Sequence, residues 1–205
     1  MTSLAITQLD SDPSRQFADW HRQWAASAPP DANAMVLATV DANGQPWVRT
    51  VLLKACDERG FVFFTNRESN KGEQLAANTR AALHFLWLPA SSGGIARQVQ
   101  VQGVVERTGT YEDDAYFASR PRESQLGAWA SQQSRPLDSR ETLLDRFVAA
   151  EMKYAGGAVP RPSYWGGYRL VPERIEFWQG GAHRLHDRFV YQRLDEHWVV
   201  SRLNP

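Results

Sequence analysis

The chain has 205 residues, enough for one domain with a substantial core. Its 23 Lys and Arg balance 23 Asp and Glu, so no basic excess points to nucleic acid, although local clusters still suit small anions. The lone Cys56 excludes an internal disulfide and no Cys/His set suggests zinc, so no metal site is expected; with neither a secretory leader nor an apolar run of ~20 residues, a soluble cytoplasmic protein is expected.

Residues 12–27 read as a helix. Asp12 or Ser11 caps it, Pro13 suits its first turn, Phe17, Trp20 and Trp24 share a face, and Pro29-Pro30 ends it. Ala34–Val40 and Trp47–Leu53 flank the turn signal Asp41-Ala42-Asn43-Gly44 and form a β-hairpin. Phe61–Thr65 is a further strand, and Ser69 caps a short helix to Ala77. Strands 81–88 and 98–105 are joined by a Gly- and Ser-rich link over 89–97; Val99, Val101 and Val105 alternate with polar residues, as in a half-buried strand.

Residues 112–118 and 123–130 are helical, and Pro121 separates them. A longer amphipathic helix spans 137–152, with Leu143, Leu144, Phe147, Val148 and Met152 as its apolar face. After a loop at Pro160 and Pro162 come strands 168–170, 174–178, 188–193 and 198–203. Strands with short local connections argue for a mainly β fold with peripheral helices, an antiparallel barrel. Residues 1–33 form an N-terminal helical segment and 34–205 the barrel, with no linker long enough to divide two domains.

Five clusters suit anions. In Phe177–Phe189, Gly180 and Gly181 read as a tight turn with positive φ. Arg184, His186 and Arg188 then alternate, so an extended strand sends all three from one face, towards a phosphate or carboxylate or simply towards water. Arg49 and Lys54 bound an apolar strand at odd spacing, on opposite faces, and suit two anions or two water-facing ends. Thr65–Lys71 leads into a helix start, a phosphate cradle or a plain capped helix.

Tyr116, Arg120 and Ser124 lie at i, i+4 and i+8, but Pro121 breaks the helix. Arg120 is left beside the next helix N-terminus, as a phosphate site or a polar surface bend. Gln132, Gln133 and Ser134 follow Trp129, as neutral donors and acceptors or as a helix end entering a loop. No G-x-S-x-G, GxGxxG or Walker loop is present, and Cys56 lacks an activating context. The pattern fits a protein that holds a phosphorylated cofactor and a phosphorylated substrate.

Taken in order, RTVLLK, FFTN, SNK, RQVQV, YFASRPRESQLGAWASQQS, PSYWGG, IEFWQGGAHRLHDRF and RLNP resemble the pyridoxine/pyridoxamine 5′-phosphate oxidase family, from about Ala34 to Pro205. The resemblance implies an FMN-binding split β-barrel and a homodimer with active sites at the interface. It implies oxidation of pyridoxamine 5′-phosphate or pyridoxine 5′-phosphate to pyridoxal 5′-phosphate in vitamin B6 synthesis. FMN takes a hydride from C4′, O2 reoxidises it to give hydrogen peroxide, and the amine substrate also yields ammonia.

By motif position, Arg49 and Lys71 resemble the cations on the FMN phosphate. Phe64, Thr65, Gln98, Gln133, Ser134, Trp178 and Arg188 resemble its other contacts. Lys54, Tyr116, Arg120 and Ser124 resemble the substrate-phosphate clamp, and Arg184 and His186 the pair beside the pyridine ring. Two departures stand out. No Arg-Arg-x-Tyr pattern precedes Asp12, as expected of a shorter chain or of a different substrate cover, and Asn70 replaces a basic residue, removing one phosphate contact. Two other functions share these features: an FMN oxidase of another small ring such as a phenazine precursor, and a binding protein for FMN or pyridoxal phosphate without turnover.

Overall fold

The structure, a computed structural model, describes residues 3–26, 31–89 and 94–205. The expected helix end at 27 and 29–30 and residues 90–93 of the 89–97 link lie outside them. Helix α1 (Pro13–Ala26) starts where expected: the Asp12 carboxylate accepts the Ser14 N–H at 2.8 Å. Its buried Phe17 meets Phe61 and Phe85 edge-on, with ring centroids 4.9 and 4.8 Å away. Ahead of it, residues 3–10 cross the C-terminal hairpin. The Leu4 N–H donates to Asp187 at 2.7 Å, and the Tyr191 hydroxyl donates to the Asp10 carbonyl at 2.6 Å.

Strands β1 (Ala34–Val40) and β2 (Pro46–Leu52) form the expected hairpin, and β1 buries Met35, Leu37 and Thr39 on alternate positions. A short β3 (Ala55–Asp57), which hydrophobic patterning does not reveal, pairs with β4 (Gly60–Asn66). Helix α2 (Asn70–Ala77) follows, with Ser69 as its N-cap. Then come β5 (Arg80–Trp87), β6 (Arg97–Arg107), α3 (Thr110–Ser119), α4 (Arg122–Ala130), α5 (Arg140–Lys153), β7 (Trp165–Gln179), β8 (Asp187–Leu194) and β9 (His197–Leu203).

The sheet is antiparallel throughout, in the order β2-β1-β5-β6-β7-β4-β3. β7 pairs along its length with β6. Its other edge takes β4 at the start and β8 at the end. The Lys54 N–H donates to the Val62 carbonyl at 2.8 Å, tying the end of β2 back to β4. The curled sheet is a split barrel with helices at its periphery, as expected, and rings from β4, β5, β7 and α1 fill it.

Two expectations need correction. Residues 168–170 and 174–178 are not two strands: β7 runs unbroken through a bulge opposite Gln102 and Gly103. Pro172, lacking an N–H, sits at this irregularity, and a Cβ on Gly103 would lie 2.0 Å from the Val171 carbonyl oxygen. The apolar face assigned to α5 is only partly covered: Leu143 and Phe147 are half-buried, Phe147 against a second apolar cluster. Leu144, Val148 and Met152 are exposed, and Ala150 is its one buried residue.

Candidate functional site

Between the barrel and a second apolar cluster built on Phe117, Leu126 and Trp165 lies a cavity of about 600 Å3. Eight of the site residues expected from sequence line it: Lys54, Phe64, Thr65, Lys71, Tyr116, Arg120, Ser124 and Gln133. One wall is an aromatic stack, with Phe64 4.1 Å from Tyr116 and 5.4 Å from Trp165. The Lys54 ammonium lies 5.8 Å from the Tyr116 ring centroid.

Arg120 ends α3, and Pro121 turns the chain into α4, as the proline predicts. The guanidinium rests 4.7 Å above the Trp165 ring. Its buried Nη1 has no hydrogen-bond partner among the described residues, and burial lowers its pKa. A buried donor with no acceptor is costly unless a ligand supplies one. Ser124 stands on the first turn of α4, in the same wall.

At the other end of the cavity, Lys71 opens α2. Its ammonium donates to Gln133 Oε1 at 2.6 Å and to Ser69 Oγ at 3.1 Å. Thr65 Oγ1 donates to the same Gln133 oxygen at 3.1 Å. Burial, then the nearby positive Arg49, pushes the Lys71 pKa down to about 8. Arg135 holds the Gln133 loop onto α2 through Glu73 and the Glu68 carbonyl. Ser134, beside Gln133, takes a φ of 71°.

Arg49 sits behind this end, on β2. It donates to the Thr39 hydroxyl, to Gln74 Oε1 at 2.8 Å and to the Leu37 carbonyl at 3.4 Å. Burial lowers its pKa also. Lys54 lies beyond the end of β2, so the two cations are not on opposite faces of one strand: Lys54 lines the cavity near Tyr116, and Arg49 faces α2.

The C-terminal cluster departs from its expected geometry. Arg184, His186 and Arg188 do not share one strand, because a tight 3-10 turn spans Ala182–Arg184 and β8 starts only at Asp187. Positive φ falls on His183 (56°) and Arg184 (63°), not on Gly180 or Gly181. Gly181 serves close approach instead: a Cβ there would lie 2.0 Å from the Leu185 carbonyl oxygen. Its N–H donates to His186 Nδ1 at 3.1 Å, which leaves Nε2 to carry the proton of the neutral ring. Arg184 is exposed and His186 packs 4.6 Å from the Trp178 ring.

Gln98, Trp178 and Arg188 line a separate cavity of about 270 Å3. There Arg188 is bound by Glu176, with contacts of 2.8 and 2.7 Å, and by the Asn204 carbonyl. Eleven of the fifteen expected residues therefore line one of two cavities, and Arg49, Ser134, Arg184 and His186 line neither. Gln74, Thr39 and Trp165 escaped the sequence reading. Thr39 had a signal, a polar residue in register with the buried Met35 and Leu37. Gln74 lies three residues after Lys71, on a neighbouring helix position. Among the described residues no group of three or more His, Cys, Asp or Glu side chains could hold a metal ion, and no helix is long and apolar enough to cross a membrane.

A family model described as pyridoxamine 5′-phosphate oxidase matches residues 23–154, and one described as the pyridoxine 5′-phosphate oxidase C-terminal dimerisation region matches 165–205. The chain belongs to the pyridoxamine 5′-phosphate oxidase family. It is 52% identical to the pyridoxine/pyridoxamine 5′-phosphate oxidase of Paraburkholderia phytofirmans, over 99% of this chain and 93% of that protein. It is 48% identical to the protein of that name from Gloeothece citriformis, over 100% and 94%. Among solved structures, PhzG from Burkholderia lata in complex with tetrahydrophenazine-1-carboxylic acid superposes with a TM-score of 0.89. It is 28% identical, covering 100% of this chain and 99% of that one. An oxidase-related, FMN-binding protein from Nostoc punctiforme shares the fold, with a TM-score of 0.71 at 18% identity over all of both chains. The large cavity gathers residues from β4 and α2 to α4, and the smaller one residues from β6, β7 and β8.

Proposed function

We propose that this protein oxidises pyridoxamine 5′-phosphate and pyridoxine 5′-phosphate to pyridoxal 5′-phosphate with FMN and O2, as a cytoplasmic homodimer. The observation that carries this reading is the cation set of the 600 Å3 cavity. Lys71 is held by neutral oxygens, and Arg120 leaves a buried nitrogen without an acceptor. Two cationic ends in one cavity suit two phosphoryl groups.

The donor set fits FMN at the α2 end: Arg49 and Lys71 for its phosphate, with Thr65, Gln133 and Ser134 beside them. Lys54, Tyr116, Arg120 and Ser124 take the substrate phosphate. When bound, FMN supplies the two-electron acceptor that dioxygen restores. The protein's part is to bind, orient and bias. A guanidinium is a poor base, so Arg184 serves as a positive charge that positions the substrate. His186 has Nδ1 committed to the Gly181 N–H, so any proton it exchanges passes through Nε2.

Gln98, Trp178 and Arg188 complete the flavin site from a second protomer in this reading. The match to a dimerisation region and the exposed Leu144, Val148 and Met152 support such an assembly. A second reading, oxidation of a phenazine precursor, has the likeness to PhzG in its favour; the Lys54–Tyr116–Arg120–Ser124 clamp favours a phosphorylated substrate instead. Purified protein is expected to form pyridoxal 5′-phosphate from both B6 phosphates only when FMN is present, with matching oxygen uptake. A flavin-loaded dimer inert towards both would refute the proposal.

A further inference from the structure

Several buried or half-buried arginines of this fold are aimed by carboxylates. Arg67 is held by Asp113 at 2.8 Å, Arg169 by Asp57 at 3.0 Å, Arg161 by Asp114 at 2.6 Å and Arg188 by Glu176 at 2.7 Å. Arg49 is different. The oxygens that fix it belong to a threonine, a glutamine and a backbone carbonyl. Gln74 is the centre of this arrangement. Only 7% exposed, it uses one oxygen to accept both the Arg49 guanidinium at 2.8 Å and the Thr39 hydroxyl at 2.6 Å. It also stands one turn after Lys71 on α2, so it ties the strand that carries one cation to the helix that carries the other.

We infer that Gln74 is a positioning residue for the flavin phosphate. It orients Arg49 while leaving its charge unneutralised, and it sets the spacing between Arg49 and Lys71. A carboxylate at this position would make the same two hydrogen bonds and cancel the charge. This rests on the flavin reading above, and the test separates the two.

FMN and riboflavin, which differ by the phosphate, are titrated into the flavin-free full-length protein by fluorescence quenching. Gln74→Met keeps volume and removes the acceptor; Gln74→Glu keeps the acceptor and adds charge. Each is expected to weaken FMN about tenfold and to leave riboflavin unchanged. Adding Gln74→Met to Arg49→Ala is expected to cost little more FMN affinity than Arg49→Ala alone, since both act through one guanidinium. If Arg49→Ala weakens FMN selectively while both Gln74 variants bind it normally, or lose riboflavin equally, the role of Gln74 is overturned. If Arg49→Ala itself leaves the FMN-to-riboflavin ratio unchanged, the phosphate assignment fails, and this inference with it.

Discussion

Arg120 and Lys71 show how single side chains prepare a site for anions. The Nη1 of Arg120 is buried without an acceptor among the described residues, and its guanidinium lies over the Trp165 ring. Charge-assisted hydrogen bonds are worth roughly 1.5–3 kcal/mol. Arg120→Ala is therefore expected to raise the KM for pyridoxamine 5′-phosphate by about one to two powers of ten and to spare FMN affinity, as steady-state kinetics and flavin titration will show. Lys71 gives a pH dependence. Its pKa falls from 10.5 to about 8, so its charged form is disfavoured in the flavin-free fold and weighs against stability below pH 8. That penalty is relieved as pH rises from 8 towards 10.5. A phosphate dianion favours the charged lysine, so binding is linked to proton uptake near pH 8. FMN affinity should fall as pH rises through 8, and riboflavin affinity should not; titrations at pH 7 and pH 9 check this. Cys56 needs no role in this chemistry, because burial pushes its pKa up to about 12 and keeps the thiol protonated.

Elements set the accuracy with which those side chains meet. The turn between β7 and β8 holds His183 and Arg184 in left-handed conformations, a strain of order 1–3 kcal/mol each that the surrounding structure must offset. Gly181 makes this possible by lying where a Cβ would strike the Leu185 carbonyl. Gly181→Ala should shift Arg184 and His186, lowering kcat by at least about tenfold while flavin is retained; turnover measured on flavin-saturated variant decides it. Such turns are also where sequence patterning fails. The alternation of Arg184, His186 and Arg188 has the period of a strand, but Gly180-Gly181 stops the pairing of β7 and lets the chain fold back before β8 begins. Likewise Pro172 reads as a strand end, because a missing N–H looks like a break until the bulge opposite Gly103 is seen. Periods carried by long apolar runs were legible: β1, β6 and α1 lie where their spacing puts them. So was the proline between α3 and α4, which places Arg120 correctly. Gln74 and Thr39 were not legible as site residues, since their role depends on a contact between α2 and β1 that no local pattern encodes.

Across the whole molecule, eleven of the fifteen expected site residues fall into two cavities of one protomer, and Leu144, Val148 and Met152 of α5 lie open. Both facts have one explanation if two copies assemble, with the second cavity of one supplying the first cavity of the other. The barrel then acts as a rigid frame, its aromatic core fixing β4 and β7, while α2 and the α3–α4 corner present cations at opposite ends of the flavin and substrate site. Sedimentation should find a dimer in solution. The most direct test of the account mixes flavin-loaded protein, without oxygen, with pyridoxamine 5′-phosphate or with unphosphorylated pyridoxamine and follows the flavin absorbance. The phosphorylated amine is expected to bleach the flavin and yield pyridoxal 5′-phosphate at concentrations where the unphosphorylated one does nothing. Flavin that stays oxidised with both, or is bleached equally by both, would contradict a site built around two phosphates.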